Sequence, residues 1–197
     1  SLTFGVLPPA HKEVQAAGRA VLAAASHCDR TVGVSASHPC SEVQRQERCA
    51  RPGGTVGSCS DALLAGFVYL DAIFTATMCT SAPATFDSLG VRYALDASGA
   101  PLSQKVGAEP ASTMDVRYPA YVEELKAALR PLQQANVTFI VGCTYYMSGR
   151  ALIDALAALA YSPLAVLLSS SLSDRRYSAS IAAGWWQGEY VLESTAW

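Results

Sequence analysis

The 197 residues are ample for one large α/β domain with a sizeable apolar core. Charged residues make up only 15%, against roughly 25% in an average soluble protein. With a net charge of −2 and no dense Lys/Arg cluster, a phosphate-tracking surface is excluded and nucleic acid is not an expected partner. Arg45, Arg48 and Arg51 do group, but Glu42 and Glu47 between them cancel most of the field.

Ser1 to Pro9 has neither the basic start nor the apolar length of a secretory signal and reads as a cut site or mature terminus. Within it, Thr3 to Leu7 is a short strand stopped by Pro8-Pro9. Val14, Ala17, Val21, Leu22 and Ala25 then recur at helical spacing from about His11 to Ser26, and Thr31 to Val34 reads as a second strand. This is a β-α-β start. From Ser35 to Ser60 the pattern dissolves into Ser, Pro, Gly, Cys and charge, which predicts a long surface insertion at 35–60.

Ala62 to Cys79 is the most apolar run, and Asp71 near its centre argues against a bilayer span. It reads as a buried helix, capped by Ser60 or Asp61 and running to about Thr77. Gly90 to Leu95 predicts a third strand, Asp96-Ala97-Ser98-Gly99 a turn, and the stretch to Tyr118 is irregular. Pro119 opens a helix with Tyr121, Val122, Leu125, Ala128, Leu129 and Leu132 on one face, ending near Gln134. Val137 to Val141 is a strand buried on both faces, Ser148 caps the next helix, and Pro163 to Leu168 is another buried strand. Alternating elements predict an α/β fold, doubly wound, with a mostly parallel sheet and helices on both faces. Ligands of such sheets sit beyond the carboxyl ends of the strands.

Six cysteines form an even set without a C-x-x-C pair, so zinc ribbons and thioredoxin-type sites are excluded. Cys40, Cys49 and Cys59 lie in the insertion, where no core holds the chain, and are the expected disulfide formers of an oxidising compartment. The single asparagine, Asn136, stands in an Asn-Val-Thr glycosylation pattern, which strengthens a secreted or cell-surface origin. Gly53-Gly54-Thr55-Val56-Gly57 lacks the Lys-Ser/Thr of a phosphate loop, and His38-Pro39-Cys40 completes no metal set, so neither cofactor nor metal is expected. Cys143, between a strand and a helix, occupies a nucleophile's place, yet no second glycine follows and every histidine lies upstream. A structural cysteine is the simpler reading. Trp185, Trp186, Tyr190 and Trp197 read as packing or interface.

Two stretches, Phe4-Gly5-Val6-Leu7-Pro8-Pro9 with its following helix and strand, and Tyr121 to Trp197 with Asn136 to Gly142, Ala151 to Leu156, Leu167 to Ser171 and Gly188 to Leu192, carry a likeness of pattern. In these the chain resembles the type I periplasmic-binding-protein superfamily, which includes branched-chain amino-acid-binding proteins and the ligand domains of natriuretic-peptide and class C receptors. It is similar to their second lobe. The resemblance implies that residues 1–197 are a single lobe, a fragment of a two-lobe domain that closes on its ligand. The insertion and the segment from Pro101 to Tyr118 depart from the family pattern.

The expected function is therefore an extracellular sensor or solute-binding lobe for a small, amino-acid-like ligand, acting by domain closure without bond chemistry. Its setting would be a membrane-anchored receptor or larger assembly, and a homodimer is compatible with it. The alternatives are an α/β hydrolase using Cys143 and a ligand-free adhesion or assembly module of the same fold. The expected ligand contacts are His11 after the first strand, Thr144, Tyr145, Tyr146 and Ser148 after Val141, and Ser169 and Ser170 after Leu168, beside helix N-termini whose amides favour an anionic group.

Overall fold

The computed structural model describes residues 10–30, 62–169 and 190–194. In chain order these form α1 (Ala10–Arg30), β1 (Leu64–Leu70), α2 (Ile73–Leu89), β2 (Arg92–Tyr93), β3 (Ser103–Val106), α3 (Tyr118–Gln134), β4 (Phe139–Cys143), α4 (Tyr146–Ala158), β5 (Ala165–Ser169) and β6 (Tyr190–Ser194). All strand pairs are parallel, in the order β2-β1-β4-β5-β6, and β3 pairs with β1 beyond β2 on the same flank. The expected strands at Thr3 to Leu7 and Thr31 to Val34, and the insertion at 35–60, lie outside the described residues.

The sheet separates two apolar layers, which confirms the doubly wound α/β class. On one face Val14, Ala17, Val21 and Ala25 of α1 and Met78, Ala82 and Phe86 of α2 pack with Phe67, Phe139, Val141 and Leu167. On the other, Tyr121, Leu125, Leu129 and Leu132 of α3 and Leu152, Ile153 and Leu156 of α4 pack with Val68, Ile140, Val166 and Leu168. Neighbouring strand residues thus go to opposite layers, as the pleat requires. Gly18 brings α1 close to α2: a Cβ there would stand 2.8 Å from Leu89 Cδ1 and 3.3 Å from Phe86 Cε1.

The apolar run from Ala62 is the main correction. It is not one helix but strand β1, a break at Asp71-Ala72, and helix α2. A run this uniformly apolar carries neither a period of 2 nor of 3.6, so only its neighbours decide. With β2 and β3 on one flank and β4 on the other, β1 is an interior strand buried on both faces. Gly66 lets α3 approach it, since a Cβ there would meet Leu132 at 3.1 Å and Val137 at 2.9 Å. At the break, Thr75 Oγ1 donates to the carbonyls of Leu70 and Ala72, both at 2.9 Å, and so fixes the entry into α2. Asp71 pairs at 2.8 Å with Lys105 of β3.

The other elements fall close to expectation. Asp96 makes the predicted turn, its Oδ1 accepting from the Ser98 and Ala100 amides at 2.8 and 3.1 Å, but β3 emerges from a stretch read as irregular. Helix α3 ends in a Schellman motif: the Asn136 amide donates to Gln133 O and the Val137 amide to Leu132 O, both at 3.0 Å, with Asn136 at φ 55°. Ser148 does not cap α4. The N-cap position is Tyr145, and Ser148 lies in the first turn.

Candidate functional site at the carboxyl edge of the sheet

Because the described strands are all parallel, the connections after β1, β3 and β4 leave the sheet on one edge. Helix α2, after β1, returns along one face toward β2, whereas α3, after β3, crosses the other face to β4 on the far side of β1. The chain therefore diverges between β1 and β4. This is the topological switch point at which open α/β sheets form a crevice.

Two cross-links tie that edge together. Cys79 of α2 is bonded to Cys143, the last residue of β4, with a Cα–Cα distance of 5.9 Å. Both residues are buried, so the bond joins helix to strand inside the core. It also leaves Cys143 without a thiolate for nucleophilic chemistry. The other cross-link is Glu109, half-buried in the β3–α3 connection, whose Oε2 accepts from the Ser148 amide and from the Ser148 hydroxyl, both at 2.9 Å. With its one proton given to Glu109, Ser148 accepts from the Tyr121 hydroxyl at 2.8 Å. Burial, opposed by the Ser148 bond and aided by the charges of Glu109 and Glu124, pushes the Tyr121 pKa up to about 12.

Glu109 thus holds amide and hydroxyl donors in the first turn of α4, where a negative group is favoured by the helix dipole. Ser148 is wholly buried, so its hydroxyl is not presented to a solvent-borne substrate. In the same connection Asp115 accepts from the Ala111 amide at 3.0 Å and from the Arg117 amide at 2.9 Å, and forms an ion pair with the Arg117 guanidinium. The side-chain bond to Arg117, then the backbone bonds, hold its carboxyl well below the usual carboxylate range. Met114 and Val116, within this turn, project into solvent at 91% and 92% exposure.

The expected contact residues are distributed unevenly. Thr144 and Ser148 are buried, Tyr146 is half-buried against the α3/α4 layer, and Tyr145 is exposed. Ser169 ends β5, in register beside β6. The side chains of His11 and Ser169 are not among those described, and Ser170, Cys40, Cys49 and Cys59 lie outside the described residues. Glu109 and the Cys79–Cys143 pairing carry no signal in the sequence, since each joins segments far apart along the chain. Among the described residues no group of His, Cys, Asp and Glu could hold a metal ion, and no helix is long and apolar enough to cross a membrane.

Comparison with protein-family models, with curated proteins and with solved structures finds nothing that matches the chain. Its relation to other α/β proteins therefore rests on the parallel sheet, the strand order and the flanking helices.

Proposed function

We propose that the chain is an extracellular small-molecule-binding lobe whose ligand meets the carboxyl edge at the β1/β4 switch point. The observation that carries this reading is the set of exposed apolar side chains on the connections leaving that edge: Ile73 after β1, Met114 and Val116 after β3, and Tyr145 after β4. Folding leaves large apolar groups in water at one edge where the topology places a crevice, as binding surfaces do. The buried disulfide favours an oxidising compartment. The likeness to the second lobe of the type I periplasmic-binding-protein superfamily adds the mechanism, closure of two lobes over an amino-acid-like ligand.

Differential scanning fluorimetry of the chain with each free proteinogenic amino acid, followed by hydrogen exchange with any that stabilises it, tests this. Protection confined to residues 71–74, 107–117 and 144–148 is the expected result; protection elsewhere removes the proposed edge. A second reading, a ligand-free assembly module, is favoured by Glu109 already filling the α4 terminus. It predicts no stabilisation by any amino acid and self-association in sedimentation that ends on replacing Met114 and Val116 by serine.

A further inference from the structure

We infer that Asn136 is an N-glycosylation site and that its glycan stands on the amino-terminal edge of the sheet, opposite the proposed ligand edge. Asn136 is the single asparagine of the chain and is followed by Val137 and Thr138. It is exposed, at the C′ position of α3, with φ 55° in the left-handed region that asparagine tolerates better than most residues. Its backbone amide is spent on Gln133 O and the next residue is locked by Leu132 O, so the turn holds its shape independently of the carboxamide. β4 begins three residues later at Phe139 and runs away from Asn136 to Cys143. A saccharide at Asn136 therefore projects from the start of β4, a full strand length from Tyr145, and leaves lobe closure unobstructed.

Thr138 serves both the acceptor pattern and the fold. Its Oγ1 accepts from the Leu64 amide at 2.9 Å and donates to the Ala62 carbonyl at 2.8 Å, clipping the start of β1 to β4. In the modification, the Asn136 carboxamide nitrogen displaces the lipid diphosphate from the anomeric carbon of a lipid-linked oligosaccharide donor. One amide proton passes to the transferase and an N-glycosidic bond forms. The inference rests on the extracellular assignment, since the donor is met only on the secretory route.

The test is expression of the full chain behind a secretion leader in eukaryotic cells, reading cell-associated and secreted pools before and after peptide N-glycosidase. A mobility shift removed by the enzyme, lost in Asn136→Asp and Thr138→Ala and kept in Thr138→Ser, is the expected result. Asn136→Asp keeps a residue that tolerates the left-handed turn, and Thr138→Ser keeps the hydroxyl clip, so neither readout depends on a misfolded variant. Wild-type protein carrying the Cys79–Cys143 disulfide but no enzyme-sensitive shift overturns the glycan and leaves the extracellular assignment standing. Free Cys79 and Cys143 thiols together with an unmodified Asn136 overturn both, and a shift that persists in Asn136→Asp overturns the site.

Discussion

Glu109 and Ser148 are joined by two hydrogen bonds at 2.9 Å across 39 residues of chain, one to the backbone amide and one to the hydroxyl. The β3–α3 connection is thereby held to the first turn of α4 at the point where the proposed ligand edge lies. A single carboxylate thus satisfies a helix-terminal donor and sets the direction of the Ser148–Tyr121 bond.

Glu109→Ala should leave the Ser148 amide and hydroxyl without their acceptor, a loss of about 1–3 kcal/mol, toward the lower end because Glu109 is half-buried and water can replace it. Glu109→Gln keeps an acceptor oxygen and should recover most of the loss. Hydrogen exchange at the Ser148 amide checks this: faster exchange in the alanine variant and near-native exchange in the glutamine variant are expected. Unchanged exchange in both would mean that the contact holds nothing in place.

The disulfide closes a loop of sequence separation 64, for which the chain-entropy relation gives about 4 kcal/mol of stabilisation. Replacing Cys79 and Cys143 together by alanine should lower the thermal midpoint by about 10 °C, at roughly 2–4 °C per kcal/mol for a chain of this size. Calorimetry of the double variant is the check, and a midpoint within a degree or so of wild type would place the stability of the β4–α2 junction in packing alone.

Buried tyrosines predict the alkaline limb of stability. Burial raises the pKa of Tyr161 and Tyr118 well above the ordinary range, helped at Tyr118 by Asp154, and that of Tyr121 to about 12. In each case the folded state holds the proton more tightly than the unfolded chain, whose tyrosines titrate near pH ~10. Their contribution is complete below that pH and is lost as pH rises through the folded values. Denaturant midpoints should be flat up to pH ~10 and fall above it. Tyr161→Phe should flatten part of this fall. At neutral pH it should also cost about 1–3 kcal/mol, because the hydroxyl donates to the buried Val137 carbonyl.

The helices α1, α3 and α4 are legible in the sequence because each has one apolar face, β4 because a β-branched and aromatic run stops at Gly142, and β5 because a short apolar run lies between Pro163 and the serines from Ser169. β1 is hidden by the same composition that makes it central: Leu64 to Leu70 has no polar residue to mark a period. β3 is hidden for the opposite reason, since Ser-Gln-Lys-Val is a polar edge that pairs only because β1 offers it a flank. The carboxyl edge after β4 could be read from strand direction alone. Glu109, Cys79 and the burial of Thr144 and Ser148 could not, because each depends on which distant segments the sheet brings together.

Tyr145 is where the proposed binding edge is most exposed to test. Its backbone is extended, with φ −95° and ψ −178°, and it enters α4 directly after buried Thr144 and the disulfide-bonded Cys143. Tyr145 is 37% exposed on an anchored segment, so ligand binding would bury it at little cost in ordering. Tyr146 differs, since its ring packs against the α3/α4 layer. Tyr145→Ala should therefore weaken binding of whichever amino acid stabilises the wild type by roughly tenfold, the loss of about 1.4 kcal/mol of ring contact, with a nearly unchanged thermal midpoint. Tyr146→Ala should lower the midpoint, because it removes buried apolar surface. Isothermal titration beside calorimetry on both variants separates the roles. Undiminished affinity in Tyr145→Ala would move the ligand off the β1/β4 edge, and a large fall in its midpoint would make Tyr145 a packing residue whose exposure is incidental.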